Sequence, residues 1–127
     1  MARTSLARVR RTADGAVICE RCEVPESAFG RMWGLLGRDG LEPGNGMLID
    51  RAPSVHMFFM RFPIDAVFVD RRLRVVRVRA RLRPWRVVPL VLRAHSVLEL
   101  PAGTVAGLGL ERGEPLSIEP VPAAPRA

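Results

Sequence analysis

Two carboxylates in otherwise apolar surroundings are the residues of this chain with the clearest potential for chemistry. Asp65 lies in the run 56–70, HMFFMRFPIDAVFVD, and Glu99 lies between Leu98 and Leu100. Burying an ionised carboxylate costs free energy unless a cation or several hydrogen-bond donors compensate it. Each carboxylate is therefore expected to have a specific partner. If the two met across a sheet, they would form the paired-carboxylate site of a hydrolase.

His56 and Met60 belong to the same run as Asp65 and add an imidazole and a polarizable thioether. An imidazole can act as an acid or a base, but no Ser or Cys nucleophile occupies a recognisable turn motif, and no catalytic residue is assigned. The leading prediction is a binding site formed by His56, Met60, Asp65 and Glu99, in a module without enzymatic activity. The paired-carboxylate hydrolase is the alternative in which Asp65 and Glu99 are catalytic.

Three arginines are candidate partners for these carboxylates. Arg31 and Arg38 are seven residues apart, which places them on one face of a helix, and Arg61 lies close to Asp65 in the chain. Two guanidinium groups on one face could also clamp an external carboxylate or phosphate. We prefer the structural role, in which Arg31, Arg38 or Arg61 neutralises Asp65 or Glu99. Backbone N–H groups are the other candidate donors for Asp65.

Cys19 and Cys22 form an isolated Cys-x-x-Cys motif. Zinc could be held only with the addition of His56 and His95, which lack the short spacing of known ligand pairs, and residues i and i+3 of a regular strand point to opposite faces. We therefore expect two reduced thiols, no metal site and no cofactor. The chain contains no lysine, which excludes Schiff-base and pyridoxal phosphate chemistry and a phosphate-binding P-loop.

The positive charge of the chain is concentrated in one segment. Between Asp70 and Glu99 there are nine arginines and no acidic residue. Four of them, Arg77, Arg79, Arg81 and Arg83, alternate with apolar residues, which predicts an arginine ladder on one face of a strand, followed by Trp85. This surface could bind an anion or a nucleic acid, with Trp85 as a stacking platform. The alternative is an edge strand whose charges prevent aggregation with other strands. We favour this alternative, so nucleic acid is a possible but less favoured partner, and other partners are unknown.

The hydrophobic pattern predicts a mainly β (α+β) domain. The Asp14-Gly15 dipeptide indicates a hairpin, and strands are predicted at 47–49, 55–59, 64–69, 73–82, 87–92, 97–100 and 116–119. One packed helix is predicted at 26–38 and a short helical turn at 104–108. Residues 1–119 are expected to form a single domain and 120–127 a disordered tail. No apolar run has the length of a membrane span or of a secretory h-region, so we expect a cytoplasmic protein without a membrane partner.

Five segments in one order carry a resemblance to a known family. They are RMWGLLGR at 31–38, GMLI at 46–49, the 56–70 run, VLELPAGT at 97–104, and the Gly113-Glu114 pair. In this order they resemble the prokaryotic family known as domain of unknown function 192, over roughly residues 16–118. The resemblance implies a compact, mostly β domain in which a curled antiparallel or mixed sheet forms a small barrel or sandwich. It implies no biochemical role, because none is established for the family.

Overall fold

The fold is a curled sheet of seven strands, seen in a computed structural model that describes residues 4–27 and 34–121. Nine strands are present in this part of the chain: β1 (Thr4–Arg11), β2 (Val17–Pro25), β3 (Asn45–Asp50), β4 (Val55–His56), β5 (Ile64–Val69), β6 (Val75–Leu82), β7 (Val87–Val88), β8 (Ser96–Pro101) and β9 (Leu116–Pro120). One helix, α1 (Thr104–Leu108), follows β8. The predicted mainly β class is therefore confirmed.

The seven strands of the main sheet follow the order β6-β5-β8-β3-β2-β1-β9, and β4 and β7 form a separate two-stranded ribbon. All neighbours are antiparallel except β2 and β3, so the sheet is mixed. The two edges approach each other where Arg74 bridges Pro115, and the Val75 N–H donates to the Glu114 carbonyl at 3.0 Å. This contact between opposite edges curls the sheet into a half-barrel.

Two hydrophobic clusters lie on the two faces of the sheet. The inner cluster takes residues from all seven strands, among them Val9, Leu48, Val67, Leu98 and Leu116, and therefore fills the concave face. A cavity among Val9, Leu48, Leu98 and Leu116 measures only about 10 Å³, so this part of the inner cluster has no room for a ligand. The outer cluster, which includes Met47, Ile49, Phe68 and Val97, lies between the convex face and the segments that cover it.

The β1–β2 hairpin and β5 follow the sequence prediction closely. Asp14 accepts a hydrogen bond from the Ala16 N–H at 3.0 Å, and Gly15 has the positive φ of 72° that the predicted turn requires. Both faces of β5 are buried, as expected for a strand inside the sheet. By contrast, the strands predicted at 55–59 and 87–92 pair over only two residues each.

The helix predicted at 26–38 is not helical at its C-terminal end. Gly34 and Gly37 have φ values of 49° and 83°, and the Arg38 N–H donates to the Leu35 carbonyl in a turn. Residues 28–33, including the predicted partner Arg31, lie outside the described residues. The helical turn predicted at 104–108 is confirmed as α1.

Candidate functional site

Asp65 is held by three backbone N–H groups rather than by an arginine of the described residues. Its Oδ1 atom accepts from the Arg81 N–H at 2.9 Å, and Oδ2 accepts from the N–H groups of Gly103 at 3.1 Å and Val105 at 2.8 Å. Gly103 and Val105 belong to the start of α1, where N–H groups have no partner within the helix. Asp65 therefore fastens α1 and the neighbouring strand β6 to β5, and it is fully buried.

The expectation that Arg38 or Arg61 neutralises Asp65 is wrong. Arg38 forms a two-point ion pair with Glu23, at 2.7 and 3.1 Å, and Arg61 pairs with Asp39 at 2.7 Å on the surface. In the described structure three N–H donors compensate the Asp65 carboxylate, as the backbone alternative predicted.

Glu99 lies on the other face of the sheet from Asp65. In the pairing of β5 with β8, Asp65 is opposite Leu100, whereas Glu99 is opposite Ala66. Residues directly opposite share a face, and consecutive residues alternate. Asp65 therefore belongs to the inner face and Glu99 to the outer face, so the two carboxyl groups do not form a catalytic pair.

Glu99 is 7% exposed and accepts no hydrogen bond from the described residues. Burial raises the pKa of its carboxyl group to about 7, although the charge of Arg38 acts in the opposite direction. The Arg38 guanidinium is already engaged by Glu23, so it does not compensate Glu99 fully. Among the described residues, therefore, no side chain or backbone N–H donates directly to the Glu99 carboxyl group.

Glu99 lines a cavity of about 120 Å³ on the outer side of the sheet, called here the Glu99 cavity. Its lining residues are Gly34, Leu35, Leu36, Ile49, Ala52, Ser54, Val55, His56, Met60, Val97 and Glu99. Most of this wall is apolar, with polar groups at a few positions, which is the usual composition of a small-molecule site. The structure thus brings together His56, Met60 and Glu99, three of the four predicted binding residues, and places Asp65 elsewhere.

Ser54 is a polar wall residue that the sequence analysis did not identify. It precedes His56 by two residues, and this spacing at the start of an extended segment is the signal that could have found it. In the described structure no hydrogen bond joins Ser54 to His56 or His56 to Glu99. These side chains therefore do not form the hydrogen-bonded nucleophile and base of a covalent catalyst.

Cys19 and Cys22 lie on the same face of β2, contrary to the expectation for a regular strand. Ala7 pairs with Cys22 and Val9 with Cys19, so β2 contains one more residue than β1 between these pairs, and the resulting bulge turns both thiols into the inner cluster. The hydrogen bond between them lowers the pKa of Cys19 and raises that of Cys22, which burial raises further. In the part of the chain that the structure describes, no three His, Cys, Asp or Glu residues could hold a metal ion together.

The predicted arginine ladder is interrupted, because β6 also contains a bulge. Arg77 and Arg79 pair with Phe68 and Ala66 and so lie on the outer face, but the register then shifts before Leu82. Arg81 has a φ of 51°, and its guanidinium lies near Gly103 at the start of α1. The four arginines therefore do not form one row. β6 is nevertheless an edge strand in the sheet order, as the alternative reading of the ladder expected.

Arginines 71, 72, 74, 77, 79, 81, 83, 86 and 93 share one property: within the described residues none of them forms an ion pair. All the ion pairs found there involve Arg8, Arg10, Arg11, Arg38 or Arg61. The positive charge of 71–93 is therefore not compensated within the described structure. Trp85, the predicted stacking platform, is exposed and contacts the rings of Phe58 and Phe59. No helix in the described structure is long and apolar enough to cross a membrane.

The same fold occurs in two crystal structures. One is a protein of unknown function from Novosphingobium aromaticivorans, with a TM-score of 0.75 and 26% identity over 90% of this chain and 84% of the other. The second is a suggested transcription regulator from Sinorhizobium meliloti, with a TM-score of 0.75 and 25% identity over 91% and 94% of the two chains.

Sequence comparison gives archaeal relatives as well. The chain is 33% identical to a UPF0127 protein of Thermococcus sibiricus over 113 residues, 83% of this chain and 70% of the relative. It is 39% identical to a UPF0127 protein of Pyrococcus horikoshii over 61 residues, which cover about half of that relative's length (52%). The family profile of DUF192, described as an uncharacterized ACR, matches residues 9–118. The chain therefore belongs to the DUF192 family.

Proposed function

We propose that this protein is a binding module that takes a small ligand into the Glu99 cavity and has no catalytic activity. The single observation that supports this proposal is Glu99, a largely buried residue that lines a cavity and whose carboxyl group has no hydrogen-bond donor among the described residues. A buried group of this kind normally destabilises the folded state, and such groups concentrate at sites where a ligand supplies the missing partner.

The ligand is expected to have an apolar body and one cationic or hydrogen-bond-donating group. Leu35, Ile49, Met60 and Val97 supply apolar walls, and Glu99 adds a hydrogen-bond acceptor to the lining. The cavity volume of about 120 Å³ sets the size, since roughly 150 Å³ accommodates benzene and so about six non-hydrogen atoms. An ammonium group beside Glu99 would also favour the ionised carboxylate and thereby lower its raised pKa.

Isoamylamine and isoamyl alcohol form a matched pair of probes for this site, because they share a carbon skeleton and differ in the charge of the head group. We expect NMR titration to show tighter binding of the amine, by about tenfold or more, because a hydrogen bond to a charged group contributes about 1.5–3 kcal/mol. The amine should bind about tenfold more tightly near pH 8 than near pH 5.5, because the Glu99 carboxyl, with a pKa of about 7, is protonated at the lower pH.

Two variants complete the experiment. Glu99→Gln should remove both the preference for the amine and the pH dependence of binding. Glu111→Gln makes the same change of charge at an exposed site and should bind as the wild type does. Equal affinities for amine and alcohol, or an equal loss in the two variants, would show that Glu99 does not select the ligand.

A further inference from the structure

An exposed apolar surface surrounds the β4–β7 ribbon, outside the Glu99 cavity. Its members, called here the ribbon patch, are Phe58, Phe59, Trp85, Val87, Leu90 and Leu92. Phe59 is 71% exposed, Trp85 58%, Leu90 66% and Leu92 78%. Trp85 contacts the rings of both Phe58 and Phe59, and an exposed apolar cluster of this kind is uncommon on proteins that do not use the surface for contact.

The backbone of the ribbon holds these side chains outward. The Trp85 N–H donates to the Met57 carbonyl, and the Met57 N–H donates to the Arg86 carbonyl, both at 2.7 Å. Met57, Val88 and Val91 are buried beneath the ribbon, so the patch residues alternate with anchors in the outer cluster. The exposed side chains are therefore mounted on fixed backbone.

Two of the exposed aromatic residues have a backbone conformation that disfavours their residue type. Phe59 has a φ of 64° and Trp85 a φ of 69°. Positive φ is uncommon for bulky residues, and such conformations concentrate at sites of recognition. The strained backbone brings the two rings together, with centroids 4.9 Å apart.

The charges around the ribbon patch indicate what kind of surface it fits. Arg83, Arg86 and Arg93 are exposed and flank the patch along the chain, and none of them forms an ion pair within the described residues. Because no acidic residue occurs between Asp70 and Glu99, the patch has apolar side chains in a positively charged border. An anionic lipid bilayer has the complementary arrangement, with an apolar interior below negatively charged headgroups.

A single-stranded nucleic acid fits the ribbon patch less well. Consecutive bases stack on accessible aromatic faces, but the Trp85 ring is tilted by 40° and 60° against the two phenylalanine rings that contact it. The aliphatic side chains of Leu90 and Leu92 add apolar area that base stacking does not use. In a bilayer interface, aromatic and aliphatic side chains are both buried and arginines extend to the headgroups.

We propose that the ribbon patch attaches this protein to the surface of anionic membranes. Phe59, Trp85, Leu90 and Leu92 enter the interface between headgroups and acyl chains, and Arg83, Arg86 and Arg93 pair with lipid phosphates. This attachment is peripheral and needs no membrane-spanning segment. The proposal differs from the expectation, drawn from the sequence, of a protein without a membrane partner.

The test is co-sedimentation of the full chain with vesicles of phosphatidylcholine, with and without about one third phosphatidylserine. We expect binding to the anionic vesicles only, weakened by salt. Phe59→Asn with Trp85→Asn should weaken that binding at least about tenfold by removing apolar area, and asparagine tolerates the positive φ at both positions, which protects the fold. The chain has a second tryptophan, Trp33, so in Trp33→Phe the emission comes from Trp85 alone and should be quenched by brominated lipid.

The arginine contribution has a matched control. Arg86→Gln with Arg93→Gln should weaken vesicle binding by about fivefold for each arginine. Arg21→Gln with Arg112→Gln changes the net charge equally, at exposed arginines of β2 and of the turn before β9, and should have a much smaller effect. The proposal is overturned if the protein ignores anionic vesicles, if the control pair weakens binding as strongly, or if an oligothymidylate binds in preference to the vesicles.

Discussion

Replacement of Asp65 by asparagine tests the structural role assigned to this carboxylate. The change preserves the shape of the side chain and converts one acceptor oxygen into an NH₂ group. If the remaining oxygen keeps the two donors at the start of α1, Gly103 N–H and Val105 N–H, the NH₂ group faces the Arg81 N–H, and two donors then oppose each other in a fully buried site.

The expected loss in stability follows from these contacts. A hydrogen bond to a charged group contributes about 1.5–3 kcal/mol, and a buried donor left without a partner costs about 1–3 kcal/mol. Because one of the three bonds is lost and the other two lose their ionic character, we expect the free energy of unfolding to fall by about 2–4 kcal/mol. With a urea m-value of about 1.5–2 kcal/mol/M, the midpoint should decrease by about 1–2 M.

Urea unfolding followed by far-UV circular dichroism measures this change, and Asp39→Asn provides the control. Asp39 undergoes the same substitution at an exposed site, where its ion pair with Arg61 is expected to contribute less than about 1 kcal/mol. If Asp65→Asn unfolds within about 0.5 kcal/mol of the wild type at an unchanged m-value, the three N–H donors do not require the carboxylate, and the reasoning is refuted.

Two further predictions concern Gly46 and Glu99. Gly46→Ala should lower the free energy of unfolding by about 2 kcal/mol or more, because the added Cβ would lie 2.8 Å from both the Cys19 Sγ atom and the Glu99 carbonyl oxygen. The control is Gly107→Ala in α1, where the added Cβ meets no other atom. In the same urea titration this variant should be neutral or stabilising by up to about 1 kcal/mol. Since burial raises the pKa of Glu99 from 4.5 to about 7, the folded state binds the proton more tightly than the unfolded state, and stability should fall by roughly 3 kcal/mol as the pH rises through that interval. Urea unfolding at the two ends of this pH interval measures the change in stability. If the same change with pH persists in Glu99→Gln, it does not arise from Glu99.

Features that depend on neighbouring residues in the chain were predictable from the sequence. The Asp14-Gly15 turn specifies its own backbone geometry, and β5 extends over Ile64–Val69, as its buried pattern predicted. α1 was predicted at its observed position. In each case the sequence pattern lies within the same few residues that form the predicted element.

The bulges of β2 and β6, two in each strand, were not predictable, because nothing in the alternation of apolar residues marks an inserted residue. A bulge in β2 brings Cys19 and Cys22 to one face, and a bulge in β6 moves Arg81 off the face of Arg77 and Arg79. A bulge reverses the facing assignments from its position to the next bulge of the same strand. The prediction of opposed cysteines and that of a continuous arginine ladder were therefore wrong for the same physical reason.

The ribbon departs from the prediction for another reason. Apolar residues at 55–59 and 87–92 predicted two ordinary strands, but pairing is limited to Val55 with Val88 and His56 with Val87. The sequence shows that these side chains are apolar but does not show which of them a neighbouring element covers. Met57 and Val91 are buried, whereas Phe59 and Leu92 are exposed, and only the tertiary arrangement distinguishes them.

The two carboxylates that the sequence marked as equivalent differ in how many donors the fold brings to them. The bulge at Arg81 and the start of α1 supply three N–H groups to Asp65 on the inner face, whereas the described residues on the outer face supply none to Glu99. Above about pH 7, removing the carboxylate charge should therefore have opposite effects on stability at these two positions. Asp65→Asn should destabilise the fold because buried donors lose an acceptor. Glu99→Gln should stabilise it because a buried charge is removed. A ligand that supplies a donor or a positive charge to Glu99, as proposed for the Glu99 cavity, would offset this stability cost.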